Sequence, residues 1–383
     1  MNTKKIIKRF IYFFASVVYK VRPSRTKKIK DREPNLIDLH NIAPDHQIYS
    51  ENTFIDAPLK DRYDLCLVIP FYCVEQSYLE DCLESLLNQK TNYSYRIICI
   101  EDGSTDDTLV RLMKYANNYP DRIYVFHQEN SGISCARNSG IKLSNSEYIG
   151  FVDQDDWVDD TYVEKLLSCA KRYDADIVKC SHRVVCKGKT VSTYAIPTDF
   201  FNGTENVKIL SYSGMIWSGI YKSEILKSIR FPEKYWYEDM IARNLLYRSA
   251  EKFASISDVL YSKRKHDTNA SDILWNGKSN KCFDHLYLFK HILEENDSLG
   301  LDRNLVLKKS ILIELGQFLM WRTRGQNRFN RICAFSEACY IVQDYVKNDN
   351  GLSPIEKCYL DNYLRHDYYG WILTSWRDWA ITA

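Results

Sequence analysis

The chain has 383 residues, enough for one large core or two smaller ones, and its 45% apolar and 14% aromatic content excludes a disordered protein. Its formal charge of +2 conceals an asymmetry, because the first thirty residues carry ten Lys and Arg and no acid, leaving −8 on the remainder. Twelve cysteines form no Cys-x-x-Cys pair and no His/Cys cluster at zinc spacing, so they read as reduced thiols of a cytoplasmic protein.

Residues 1–30 read as a basic arm. At about 100° per residue, Ile6, Ile7, Phe10, Ile11, Phe14, Val17 and Val18 share one side of a helix, and Lys4, Lys5, Lys8, Arg9 and Lys20 the other. The apolar run Ile11 to Val18 is far shorter than the roughly 20 residues that span a bilayer. The pattern predicts an amphipathic helix lying on an anionic membrane surface. A helix docked on the protein's own body and a cleaved signal peptide are the alternatives, and the latter lacks a small-x-small site before Lys20. Basic arms also bind nucleic acid, but the aliphatic and Phe face favours lipid, so no nucleic-acid partner is expected.

Residues 31–62, with Pro34, Pro44 and Pro58 and no sustained period, read as a linker. Beyond it, short apolar runs alternate with helical patterns. LCLVIP (65–70) predicts a strand, SYLEDCLESLLNQ (77–89) a helix capped by Ser77, and RIICIED (96–102) a strand. A helix over 105–118, a strand RIYVFHQ (122–128), a helix near 134–144 and a strand YIGFVD (148–153) follow. Such alternation predicts an α/β fold with a mostly parallel sheet flanked by helices. Ligands of such sheets bind beyond the carboxyl ends of the strands. Three polar clusters stand at those ends: PFYCVE, EDGSTDD and DQDD.

VIPFYCVEQSYLEDCLESLLNQ, IICIEDGSTDDT, ENSGISCARNSGIKLSNSEYIGFVDQDDW, WSGIYKSEIL and YWYEDM resemble, in order and spacing, the inverting family 2 glycosyltransferases of bacterial surface polysaccharides. The resemblance covers roughly residues 63–270 and implies a Rossmann-like GT-A domain over 63–279, followed by a C-terminal helical region, 280–383. It implies a sugar-nucleotide donor, a UDP-sugar being expected, and a glycan or glycolipid acceptor. A divalent cation, Mn²⁺ or Mg²⁺, would neutralise the departing diphosphate, and carboxylates suit such hard ions.

By this resemblance Asp153 and Asp155 of DQD match the Asp-x-Asp motif, Asp155 as the principal metal ligand and Asp153 facing both ribose and metal, with Asp156 assisting from behind. An EF-hand does not fit, since Trp157 and Val158 stand where that loop needs Asp or Asn and then Gly. A solvated turn capping a helix near Asp160 is the plain alternative. Pro70, Tyr72 and Glu75 correspond to the first nucleotide-contacting loop, where Cys73 replaces a common Asn. Asp102 corresponds to a base or ribose contact, with Glu101 replacing Asp beside it. Arg137 is expected near the base or the diphosphate.

The pair Glu238–Asp239 matches the family's Glu-Asp motif, Asp239 as catalytic base and Glu238 orienting the acceptor. WSGIYK departs from the more usual Trp-Asn-Lys-Leu-Tyr, so Ser218 and Gly219 remove an amide and a cation. SKRKHDTNAS (262–271) resembles a basic loop after the last strand, in which His266 is a further candidate metal ligand and Arg264 or Lys265 would meet the diphosphate. The tail, with Trp371, Trp376 and Trp379, suits a membrane belt, an acceptor groove or a plain helical cap, and a cap that shapes the acceptor site is expected. These readings predict a peripheral enzyme on the cytoplasmic face of the cell membrane. A nucleotidyltransferase is disfavoured by the lack of its Gly-rich loop or a Walker A motif, and a non-catalytic sugar-nucleotide or glycan binder is the other rival.

Overall fold

The computed structural model describes residues 58–202, 206–266 and 279–382. The basic arm, nearly all of the linker, and positions 267–271 of the basic segment lie outside the described residues. Two compact units divide the rest: one holds 58–234 and 238–266, the other Tyr235–Tyr237 and the chain from 279 onward.

The first unit is built on a ten-stranded sheet. Its elements are β1 Tyr63–Phe71, α1 Gln76–Leu87, β2 Tyr95–Asp102, α2 Thr108–Asn118, β3 Ile123–Gln128, α3 Ile133–Leu143, β4 Ser146–Phe151, β5 Trp157–Val158, α4 Tyr162–Tyr173, β6 Ile177–Cys186, β7 Lys189–Tyr194, β8 Asp199–Asn202, β9 Gly219–Lys222, α5 Ser223–Lys227 and β10 Lys252–Lys265. The strands lie in the order β3-β2-β1-β4-β9-β6-β10-β5, with β7 beside β6 and β8 beside β10. β9 runs antiparallel to both β4 and β6, while β10 pairs parallel with β6, so six strands share one direction. The expected mostly parallel sheet is what forms.

β1 is apolar throughout because both of its faces are covered. Leu65, Leu67, Ile69 and Phe71 pack in one core with Leu79, Leu83 and Leu86 of α1 and with Leu166 and Leu167 of α4. The alternate residue Val68 meets α3, where Gly140 passes so close that an added Cβ would lie 2.2 Å from Val68 Cγ1. Carboxyl ends of β1, β2 and β4 therefore open on one rim, and the segments after them carry Tyr72–Cys73, Gly103–Ser104 and Asp153–Asp156.

Three sequence expectations shift. α1 begins at Gln76 with Glu75 as its N-cap, so Ser77 lies inside the helix. The helix expected near Asp160 begins at Tyr162, preceded by an Asp159 carboxylate that accepts from the Thr161 amide and hydroxyl. Ser262–Lys265 form the end of β10, paired with Arg183–Cys186, and are no loop.

The second unit is helical: Asp284–Ser298, Leu305–Ile313, Leu319–Arg322, Arg328–Tyr345, Pro354–Leu364 and Tyr368–Thr382, with a π turn over Glu314–Phe318. Trp371 is a core residue there, its Nε1 donating to the Leu315 carbonyl, while Trp376 and Trp379 pack half-buried against Trp321. Among the described residues no helix is long and apolar enough to cross a membrane.

Gly140→Ala is expected to destabilise the protein by about 1–3 kcal/mol, because neither a buried β-branched neighbour nor α3 can retreat without losing contacts. Urea unfolding checks this, and a midpoint equal to the parent's would contradict the close seating of α3 on β1.

Candidate active site

The rim begins at the turn after β1. Tyr72 is 45% exposed, and its amide donates to Gln154 Oε1 at 2.8 Å while Gln154 Nε2 returns a bond to the Tyr72 carbonyl. Cys73 follows with a left-handed φ of 44°, its amide donating to Ser104 Oγ at 3.0 Å. Hydrogen bonds from the Thr105 hydroxyl and amide hold the Cys73 thiol below its ordinary pKa. Pro70 is buried within β1, and Glu75 is exposed at the start of α1. The first and second polar clusters thus form one surface.

Glu101 and Asp102 end β2 with their carboxyl groups turned inward. Glu101 accepts from the Ser104 amide at 2.6 Å and lies 2.5 Å from His127 Nδ1. Asp102, 3% exposed, accepts from Gln128 Nε2 and from the Ser131 and Gly132 amides at 2.7, 3.0 and 2.8 Å. Burial nevertheless raises its pKa, against those three bonds. Expected as a ligand contact, Asp102 acts here first on its own chain, shaping the turn that leads into α3.

Arg137 of α3 is the hub. It is 1% exposed, and Nη1 donates to Glu238 Oε1 at 2.7 Å while Nη2 donates to Asp153 Oδ1 at 3.2 Å. Asp239 Oδ1 lies 3.7 Å from Nη1. One guanidinium therefore joins the carboxylate of Asp153 to those of Glu238 and Asp239, far along the chain. Desolvation raises the Asp239 pKa to about 7, with Glu238 adding repulsion and Arg137 opposing both. Asp239 Oδ1 accepts no hydrogen bond among the described residues, and 30% of the side chain stays exposed. Such a carboxylate can take up a proton near neutral pH.

The DQDD turn continues the acid cluster. Asp156 is buried and accepts from Tyr261 Oη and the Arg264 amide, each at 2.7 Å. Burial and the neighbouring Asp155 and Asp153 push its pKa well up. Asp153 is raised as well, first by desolvation, with Arg137 opposing. Asp155 Oδ2 meets His266 Nε2 at 2.7 Å, so the structure brings these two candidate ligands together, with Asp153 two residues away on the same turn. Among the described residues no group of three or more His, Cys, Asp or Glu is set to hold a metal ion by itself. An acidic turn with one imidazole nonetheless fits a hard cation whose other positions are filled by phosphate oxygens and water.

Arg264, expected at the diphosphate, engages the protein itself. It donates to Asp81 and to the Asp155 carbonyl, and its guanidinium lies over the rings of Tyr78 and Trp157. The strand register explains this, since neighbouring residues of β10 face opposite sides. Lys263 faces the site instead, its Nζ 5.4 Å above the Trp217 ring and its charge lowering the pKa of both Asp153 and Asp239. Among the described residues Lys263 Nζ makes no hydrogen bond or ion pair. Sequence reading passed over it within SKRK, and a strand assignment for those four residues is the signal that singles it out. A second missed residue is Lys179 of β6, buried beside Trp217 and paired in register with Gly219.

Comparison with known proteins identifies the family. The family model for "Glycosyl transferase family 2" matches residues 66–230. The uncharacterized glycosyltransferase YibD of Escherichia coli strain K12 is 30% identical over 267 residues, covering 66% of this chain and 75% of YibD. Glycosyltransferase GlyA of Streptococcus pneumoniae serotype 4 is 29% identical over 227 residues, where this chain spans only about a third (32%) of GlyA. In fold, the chain is similar to S. aureus TarS 1-349 in complex with UDP-GlcNAc, with a TM-score of 0.65, 20% identity and coverage of 82% of this chain and 90% of TarS 1-349. With a matching family model, a relative aligned over three quarters of its length and the shared sheet, this chain belongs to glycosyltransferase family 2.

Proposed function

We propose that the protein transfers a sugar, with inversion, from a nucleotide sugar to a hydroxyl of a bacterial surface glycan or a lipid-linked acceptor, using a UDP-sugar by preference. The observation that carries this reading is the single buried guanidinium joining Asp153 to Glu238 and Asp239. It puts a carboxylate suited to nucleotide or cation beside one suited to proton removal. The shared fold holds UDP-GlcNAc in S. aureus TarS, which supports the choice of nucleotide.

In this reading Asp239 is the base. The acceptor hydroxyl gives its proton to Asp239 as its oxygen attacks the anomeric carbon from the face opposite the diphosphate. Glu238, held by Arg137, orients the acceptor. The nucleotide lies along Pro70, Tyr72 and Glu75 and the turn organised by Asp102, and Lys263 meets the diphosphate. Asp155, with Asp153 and His266, would hold Mn²⁺ or Mg²⁺, which supplies Lewis-acid stabilisation of the leaving group. The basic arm keeps the enzyme peripheral on an anionic membrane at the cytoplasmic face, close to a lipid-linked acceptor.

Calorimetry of UDP with and without Mn²⁺ tests the donor site. Binding is expected to strengthen with metal, to lose that gain in Asp155→Ala, and to weaken about tenfold in Lys263→Met, as for loss of a charge-assisted bond of about 1.5 kcal/mol. UDP binding indifferent to both metal and Asp155 would overturn the cation assignment.

Turnover tests the base. Asp239→Asn is expected to lose about 10²–10⁴-fold in rate while keeping its UDP affinity. Since the base works deprotonated, the rate should rise with pH through about 7, the raised value of Asp239. Glu238→Gln removes the adjacent negative charge, so the midpoint of that rise should move to lower pH. A pH profile flat from 5 to 8 in the parent would refute Asp239 as the titrating base.

Removing residues 1–30 should abolish cosedimentation with phosphatidylglycerol vesicles and leave UDP affinity unchanged. Equal vesicle binding by the shortened protein would sink the membrane role of the arm.

A further inference from the structure

Lys179 is 2% exposed, yet no carboxylate among the described residues touches it. Its three N–H groups are all used on neutral acceptors: the Met215 carbonyl at 2.9 Å, the Trp217 carbonyl at 2.7 Å and Tyr221 Oη at 3.2 Å. Tyr221 Oη in turn donates to the Ile216 carbonyl at 2.8 Å. Three consecutive carbonyls, 215 to 217, are therefore held by one Lys–Tyr pair. A buried ammonium with no counter-ion is costly, and burial lowers its pKa to about 7. An apolar side chain would fill the same space without that cost, so packing alone does not account for a lysine.

The position opposite Lys179 is shaped to receive it. Lys179 and Gly219 are direct partners in the β6–β9 register. A Cβ on Gly219 would lie 2.7 Å from Lys179 Cδ and 2.6 Å from the Val178 carbonyl oxygen. The bare backbone at 219 lets the lysine stem cross to the carbonyls beyond. What those carbonyls carry is Trp217, whose ring stacks on Tyr261 with centroids 4.7 Å apart and planes 19° apart. Tyr261 Oη then accepts from the Asp153 amide at 3.1 Å and donates to Asp156. The charge of Asp239 acts on Lys179, opposing the effect of burial.

We propose that Lys179 is a positioning residue for the transfer centre: its amino group clamps the 215–217 carbonyls and so fixes Trp217, Tyr261 and the Asp153–Asp156 turn, and its charge couples to that of Asp239. This rests on the transferase reading above. Lys179 reaches the reacting atoms only through these neighbours.

The test uses the full chain and two variants, Lys179→Met, which keeps the stem and removes the donors, and Tyr221→Phe, which releases Ile216 and one ammonium acceptor. UDP release is followed against pH from whichever of UDP-GlcNAc, UDP-glucose and UDP-galactose the parent cleaves, and hydrogen exchange is followed across Ser213–Ser218. Lys179→Met should exchange faster in that segment and lose about 10- to 100-fold in kcat, as for misplacement of a reacting group by up to about 1 Å. Its donor KM should stay close to the parent's, and the rise of rate with pH should move upward. The groups facing Lys179 from the packed elements, besides Asp239, are Cys180, His182, Tyr221 and Tyr247, none of them an anion at neutral pH. Tyr221→Phe should shift both readouts in the same direction by less, and it decides the matter if Lys179→Met fails to fold. Unchanged exchange, kcat and pH profile would overturn the proposal. A parent that cleaves no UDP-sugar would count against the transferase reading, and faster exchange in Ser213–Ser218 alone would then reduce Lys179 to a structural clamp and overturn its positioning role.

Discussion

Everything at the rim depends on one buried cation. Arg137 cannot release its proton, and two of its nitrogens are taken by Glu238 and Asp153 with Asp239 near. Without it, three carboxylates would face one another in a partly desolvated site, and removal of one partner from such a buried cluster typically costs about 3–5 kcal/mol. The guanidinium is equally bound by them, since a helix with a bare arginine in a core would not dock. Helix α3 and the segment carrying Glu238–Asp239 therefore find their positions together, and the order of motifs along the chain becomes a single place in space.

The charge balance around that hub is uneven in an informative way. Asp153, Asp156 and Asp239 all have raised pKa values with desolvation as the leading cause, yet their positive neighbours are not equivalent. Arg137 and Arg264 are committed to protein acceptors, and Lys179 is enclosed by carbonyls. Lys263 alone of these four keeps its donors uncommitted among the described residues, above an aromatic face beside two carboxylates. The excess of carboxylates over uncommitted cations at this rim is the charge pattern that the proposed diphosphate and divalent ion would complement.

The sheet was legible in the sequence because parallel strands must be apolar on both sides and helices must alternate with them. β1 to β4 fall within two residues of their expected spans for that reason. The clusters at the strand ends were legible as chemistry, and Arg137, Asp153, Glu238 and Asp239 do come together. What was not legible is which side chains the fold consumes. Asp102 and Glu101 read as outward contacts, but they close their own turns, because a carboxylate at a strand end beside free amides satisfies them first. SKRK read as a loop by its resemblance to a basic loop after the last strand, yet pairing with Arg183–Cys186 holds it as strand and decides that Lys263, not Arg264, faces the carboxylates. Register is a tertiary property, and a single residue of slip would have exchanged the two.

The same limit governs the WSGIYK segment. Read along the chain, Ser218 and Gly219 subtract an amide and a cation from a familiar pattern. Read across the sheet, the glycine stands directly opposite Lys179, whose ammonium lies against the carbonyls of Met215 and Trp217. A lysine amino group thus lies beside Trp217 but enters from β6, and Gly219 is the residue whose missing side chain permits it. A departure that looks like a loss in one strand is complemented by its neighbour, so substitutions at 179 and 219 are coupled through direct contact and their effects should not add.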